Sequence, residues 1–240
     1  MDGNGRWARA RGLYRIRGHE AGVEAVRETV TECAKLGIEA LTLYAFSEEN
    51  WKRPDREVRF LMRMLDRFLV EERPTLMKND VRLVCSGRIQ RLPEGVRRTL
   101  DETRELTSGN QGLVLCLALS YGGRQEILDA ARALAEDVER GLLRPEDIDE
   151  TRLRAKLYQP DLPDPDLVIR TAGEQRISNF LLWQISYAEL HFAEVCWPDF
   201  RKPHLHAAFE DYARRIRRFG GLVEEIGSGR DRGGGGEGLR

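Results

Sequence analysis

The sequence predicts a single α/β domain built on a mostly parallel central sheet flanked by helices, and three observations carry that reading. Two short runs, ALTLYAF at 40–46 and LVLCLAL at 113–119, are almost wholly apolar, as strands buried on both faces must be. Around them apolar residues recur at helical spacing, so strands alternate with amphipathic helices. No internal repeat or linker divides the chain, and 240 residues suffice to bury a sizeable core.

The elements follow in order. Val23, Val26, Val30 and Cys33 mark one face of a helix expected to begin near Glu20. The strand at 40–46 comes next, then a helix over 56–69 whose stripe is Val58, Leu61, Met62, Leu65, Phe68 and Leu69. Shorter strands are expected at 81–85 and 167–169, on either side of the strong one at 113–119. Ile127, Leu128, Ala131, Leu134, Ala135 and Val138 form another stripe, and Leu205, Ala208, Phe209, Tyr212 and Ile216 mark a last helix reaching 218. From 227 onward GSGRDRGGGGEGLR has nothing to bury and is expected to be a disordered tail, leaving 1–226 as the folded domain.

Composition excludes several classes. The net charge of -1 argues against a general nucleic-acid binder, though it leaves local phosphate sites open. The longest apolar run is seven residues, against roughly 20 for a membrane-spanning helix. With polar and basic residues at its start, the chain is expected to be cytoplasmic, without a signal peptide. Cys33, Cys85, Cys116 and Cys196 lie far apart with no Cys-x-x-Cys pair, so free thiols are expected. His204 and His206, two apart at a helix start, face different ways and do not suggest a metal pair.

Three clusters could carry chemistry. The phosphate-loop, HExxH and GxSxG signatures are missing, and Gly3 to Ala8 fits a dinucleotide glycine pattern only without the strand that pattern requires. The opening segment suits a different role: Gly3, Asn4 and Gly5 expose backbone N–H groups, Arg6 adds a fixed cationic fork and Asp2 a carboxylate. Donors and a cation cradle an anion, and a lone acid beside them suits Mg²⁺ shared with bound phosphates. Arg15, Arg17 and His19 are expected just ahead of the next helix, where anions are favoured; a plain surface turn with solvated arginines is the alternative. Ser47, Glu48, Glu49, Asn50, Trp51, Lys52 and Arg53 follow the first strand, at the carboxyl end where α/β folds place ligands. Arg170, Arg176, Ile177 and Ser178 follow another strand and offer a second anion pocket, or else an ion-pair network with Asp164, Asp166 and Glu174. Two polyanion sites at strand ends suggest an enzyme joining two phosphorylated molecules.

Taken in order, MDGNGRWA, GHEAG, LTLYAFSEENWKRP, RTAGEQRISNFLLWQISYAEL, WPDF and RRFGG resemble the cis-prenyltransferases, near the bacterial isoprenyl transferases of undecaprenyl diphosphate synthase type, over residues 1–221. The resemblance implies that fold, with an apolar product tunnel, and condensation of an allylic diphosphate, farnesyl diphosphate, with successive isopentenyl diphosphates. It implies Mg²⁺ on Asp2 and Glu189, with Asp2 and Asn50 catalytic. The allylic diphosphate falls to Gly3, Asn4, Gly5, Arg6, Trp7, Arg15 and His19. Ser47, Glu48, Glu49, Trp51 and Arg53 match the second substrate motif, and Arg170, Arg176, Ile177 and Ser178 the isopentenyl diphosphate site. Asn50, a poor base, is better suited to orienting water or a diphosphate oxygen. A homodimer is implied, Arg218 and Gly220 reaching the partner's site, with peripheral membrane contact for product release. The expected product is undecaprenyl diphosphate, a cell-wall lipid carrier precursor.

The sequence departs from that pattern twice. Ser120 precedes Tyr121-Gly122-Gly123 where relatives commonly carry asparagine, a change expected to be tolerated. Relatives also open with an apolar strand leading into the aspartate motif; this chain starts at the motif's own Met1, so the domain is expected to lack that strand and to expose its neighbours' edges. Two rival readings are a short-chain synthase of the same fold and a non-catalytic partner subunit. The second would have lost Asp2, Arg6, Arg170 and Arg176, all present here.

Overall fold

The apolar run at 113–119 lies in the innermost strand. In the computed structural model, which describes residues 1–216, all eight residues of β3 (Val114–Tyr121) are buried. On its two sides lie β1 (Ala40–Ser47) and β2 (Arg82–Ser86), both parallel to it, giving the order β1-β3-β2. The register pairs Ala40 with Val114 and Tyr44 with Ala118, then slips at Ala45. A slip of this kind re-aims side chains, and Ala45 is exposed between buried Leu43 and Phe46. A second parallel pair, β4 (Leu167–Arg170) and β5 (Glu189–Phe192), stands apart from the first three strands. Residues of both β1 and β4 line a cavity of about 1180 Å³.

Helices cover the strands. They are α1 (Asn4–Ala10), α2 (Arg15–Lys35), α3 (Asp55–Glu71), α4 (Arg73–Lys78), α5 (Glu94–Leu106), α6 (Gly123–Glu139), α7 (Glu150–Arg154) and α8 (Lys202–Ala213). The α3 stripe buries Leu61, Met62 and Leu69 into the core formed with Leu83, Leu115, Leu117 and Leu119. Packing of α1 on α2 is close because Gly18 has no side chain: a Cβ there would stand 1.9 Å from the Asn4 carbonyl oxygen. One turn further along the same face of α2, Trp197 Nε1–H donates to the Gly22 carbonyl at 3.0 Å.

Two boundaries differ from the sequence expectation. α2 begins at Arg15 rather than near Glu20, so Arg15, Arg17 and His19 ride inside its first turns. Nothing in RIRGH breaks a helix strongly, and Gly18, mildly unfavourable by propensity, is kept by its contact with α1. α8 ends at Ala213 and residues 214–216 are not helical, so the helix stops short of the expected Ile216; only 217–218 of the expected extension lie beyond the described residues. Arg218 and Gly220 also lie outside them, as does the glycine-rich tail.

Candidate active site

Asp2 is held from three directions. Its backbone N–H donates to Thr171 Oγ1 at 2.9 Å, and its carbonyl accepts from that same hydroxyl at 2.8 Å and from the Trp197 N–H at 2.8 Å. The Asp2 carboxylate accepts from the Gly3 N–H at 2.7 Å and from Arg170 Nη2 at 2.9 Å, with Arg6 3.7 Å away. Burial pushes its carboxyl upward, but Arg170, the Gly3 N–H and Arg6 together hold it below the usual aspartate value. Gly3 takes φ +97°, a left-handed turn that aims the first α1 residues over the carboxylate, and a side chain there would strike Ala172 and Cys196.

Beside Asp2 opens a cavity of about 330 Å³. Asp2, Gly3, Asn4, Gly5, Arg6, Arg15, His19, Asn50 and Arg53 line it together with apolar Val26, Ala45, Leu61, Met62, Leu65 and Phe68. Glu57 organises the cationic part, 3.3 Å from Arg15 and 3.1 Å from Arg53. His19, only 14% exposed, lies 3.9 Å from the same carboxylate. Burial, helped by the charges of Arg53 and Arg15 and opposed by Glu57, pushes the His19 pKa down to about 4, so the ring is neutral at pH 7.

On the other side of Asp2, Arg170 Nη1 donates to Ser178 Oγ at 2.7 Å and to the Arg176 carbonyl, and Arg176 pairs with Glu174. Arg6 bridges the two halves, donating to the Ala172 carbonyl at 3.0 Å and pairing with Glu174 at 2.9 Å. Arg170, Arg176, Ile177, Ser178, Ser47, Glu49, Asn50 and Arg53 line the larger cavity with Asp2. Three buried polar atoms on residues that line these cavities, Asn4 Oδ1, His19 Nε2 and Arg170 Nε, have no hydrogen-bond partner among the described residues. Buried polar atoms are ordinarily paired, and the Arg170 Nε–H left over beside the Asp2 carboxylate is a donor that a bound oxyanion would satisfy.

Four expected site residues stand elsewhere. Trp7 points away: its Nε1–H donates to Asp199 at 2.7 Å and Arg11 covers its ring. Glu48 and Trp51 sit behind the cavity wall, both on Ser120, which accepts from Trp51 Nε1 at 2.8 Å and donates to Glu48 at 3.2 Å. Ser120 takes φ +48°, the backbone state asparagine readily adopts, and its hydroxyl serves as the anchor of this loop. Glu189 does not join Asp2 within the chain. It opens β5 opposite Leu167, roughly 10 Å along the strand from the level of Arg170, and pairs with Arg215 at 2.7 Å. In the sequence Glu189 and Arg170 both sit in one continuous motif; only strand direction separates them.

Sequence reasoning missed Glu57, Thr171 and Asn179, and it treated Glu174 only as an alternative ion-pair partner. Glu57 follows Arg53 at i,i+4, a spacing that could have flagged it; Asn179 carries no such signal. The four thiols are free, and no group of three His, Cys, Asp or Glu able to hold a metal occurs among the described residues. The Asp2 carboxylate, with Arg170 and Arg6 beside it, would still suit Mg²⁺, which binds through one or two carboxylates and completes its shell with water and substrate phosphate. No helix among the described residues is long and apolar enough to cross a membrane.

Comparison with known proteins gives a consistent result. Residues 1–220 match the family described as "Putative undecaprenyl diphosphate synthase". An isoprenyl transferase of Chlorobaculum tepidum is 50% identical over 226 residues, covering 94% of this chain and 85% of that protein. One from Geobacter sulfurreducens is 49% identical, covering 94% and 92%. Among solved structures, lavandulyl diphosphate synthase from Lavandula x intermedia, in complex with dimethylallyl diphosphate, superposes with a TM-score of 0.90 at 39% identity, covering 92% of this chain and 95% of that one. A probable undecaprenyl diphosphate synthase from Campylobacter jejuni gives 0.74 at 37%, covering 84% and 92%.

Proposed function

The chain belongs to the undecaprenyl diphosphate synthase family of prenyltransferases, and on that premise we propose that it condenses farnesyl diphosphate with successive isopentenyl diphosphates to undecaprenyl diphosphate. One observation carries the reading: the Asp2 carboxylate lies between two arginine-rich clusters, one beside an apolar-lined cavity, and the buried Arg170 Nε–H beside it has no hydrogen-bond partner among the described residues.

In this reading each cluster has a part. Arg6, Arg15, Arg53 and His19 bind the allylic diphosphate, while Arg170, Arg176 and Ser178 bind the homoallylic one. Asp2 would hold Mg²⁺ against the allylic diphosphate, where the ion supplies neutralisation of the leaving charge. The allylic C1–O bond breaks, the terminal alkene carbon of isopentenyl diphosphate bonds to C1, and a proton leaves its C2. Asn50 orients the oxygen that takes that proton. Since Glu189 stands apart from Asp2, the Mg²⁺ contact is assigned to Asp2 alone.

The growing hydrocarbon enters the apolar lining formed by α3 and β1. Each five-carbon unit buried there gains up to about 4 kcal/mol, at about 0.8 kcal/mol per carbon, so a long product leaves slowly. The reading places the enzyme in the cytoplasm as a homodimer in peripheral contact with the membrane that receives its product, a cell-wall lipid carrier. A short-chain product is a second reading, favoured by the modest cavity of about 330 Å³. Incubation with farnesyl diphosphate, labelled isopentenyl diphosphate and Mg²⁺, followed by chromatography of the lipids, separates these outcomes. No label in any prenyl product overturns both.

A further inference from the structure

Asn179 is the most connected side chain of the loop after β4, and the reaction as described above gives it no part. Its carbonyl accepts the Gly123 N–H at 2.7 Å and its Oδ1 accepts the Arg124 N–H at 2.8 Å. These are the first two N–H groups of α6, which have no partner within their own helix. Its Nδ2 donates to Glu49 at 2.9 Å and to Gln125 at 3.2 Å. One residue thus ties the loop to the start of α6 and to the 3₁₀ turn after β1.

The surroundings are shaped for this clamp. Asn179 takes φ +64° and its neighbour Ser178 φ +50°, left-handed states that asparagine adopts more readily than most residues. A Cβ on Gly122 would stand 2.7 Å from Asn179 Nδ2, and one on Gly123 would stand 2.9 Å from the Leu182 N. The two glycines that open α6 therefore leave its first turn bare where the loop lies on it. Immediately before Asn179, Ser178 accepts from Arg170.

We propose that Asn179 is a positioning residue for the homoallylic diphosphate: it holds Arg176 and Ser178 in place by docking their loop on α6 and on Glu49. It acts through those residues and touches no substrate itself. The inference rests on the proposed function, because it presumes that this loop grips isopentenyl diphosphate.

The test compares the parent with Asn179→Gly, Asn179→Asp, Glu49→Gln and the double variant Asn179→Asp/Glu49→Gln. The readouts are KM for isopentenyl diphosphate, kcat, the dissociation constant of farnesyl diphosphate alone and the thermal midpoint. Asn179→Gly keeps the left-handed turn and loses the amide, so KM for isopentenyl diphosphate should rise about tenfold or more while farnesyl diphosphate binding stays within about twofold. Asn179→Asp sets two carboxylates face to face and should do worse. Glu49→Gln in that background restores a donor–acceptor pair with the roles exchanged and should recover most of the loss. An unchanged KM, equal weakening of both substrates, unfolding of Asn179→Gly, or no recovery in the double variant overturns the proposal. A parent that consumes no isopentenyl diphosphate overturns the functional reading instead, which the same assay shows before any variant is compared.

Discussion

Acidification should reveal His19 before it reveals the carboxylates. The fold holds this imidazole at about 4, against 6.5 for the free side chain, by burial and by the charges of Arg53 and Arg15. Because the folded value is depressed, the unfolded chain binds the proton more readily, and stability rises with pH between the two values. His19 costs the fold nothing above pH 6.5 and progressively more as pH falls from 6.5 toward 4. Between pH 7 and pH 5 the loss comes to about 2 kcal/mol, from 1.36 kcal/mol per pKa unit. Asp2, Glu49 and Asp129, held below their usual values, lose their contributions only at lower pH. The Met1 amine, lowered to about 6 by burial, acts mostly above that window. Urea unfolding of the parent and of His19→Gln at steps from pH 7.5 to 4.5 isolates the residue, since subtracting one curve from the other removes the shared groups. A difference that stays within about 0.5 kcal/mol between pH 7 and 5 would refute the argument. A bound diphosphate should reverse the effect: its charge favours the imidazolium, so titration calorimetry at pH 5.5 in buffers of differing ionisation heat should show proton uptake.

Four further outcomes follow from the same geometry. Asp2→Ala should lower turnover by about a hundredfold or more in excess Mg²⁺, with a cooperative unfolding transition retained; turnover near the parent's would remove Asp2 from the chemistry. Arg170→Ala should weaken isopentenyl diphosphate about ten- to a hundredfold and the allylic primer much less, as measured by separate binding titrations. Ala45→Leu fills part of the cavity at the β1 slip and should shift the chromatogram toward shorter prenyl products, an unchanged distribution counting against that wall. Gly18→Ala drives a methyl into the Asn4 carbonyl and should destabilise the protein by about 1–3 kcal/mol while weakening allylic binding, because α1 carries Arg6.

What the chain itself disclosed was periodic and local. The run at 113–119 could only be a strand buried on both faces, and β3 is one. The α3 stripe announced which face enters the core, because helical spacing is a property of neighbouring residues. Asp2, Arg6, Arg170 and Arg176 were legible as charges that a fold keeps only with a partner, and the structure brings Asp2, Arg6 and Arg170 together with Glu174 and Arg176 beside them. Other features needed the third dimension. Glu189 and Arg170 read as neighbours in one motif, but parallel pairing sets Glu189 opposite Leu167 and so at the far end of the strand. Arg53 meets Glu57 at i,i+4, a local spacing, but the arrival of Arg15 and His19 at the same carboxylate depends on how α2 packs beside α3, which no local pattern encodes. Asn179 took on its role only when the loop after β4 came to lie on the bare first turn of α6, 55 residues away from Arg124 along the chain. Propensity and periodicity act over a few residues, whereas the pairing of a buried donor with its acceptor is decided wherever the chain returns to the same place.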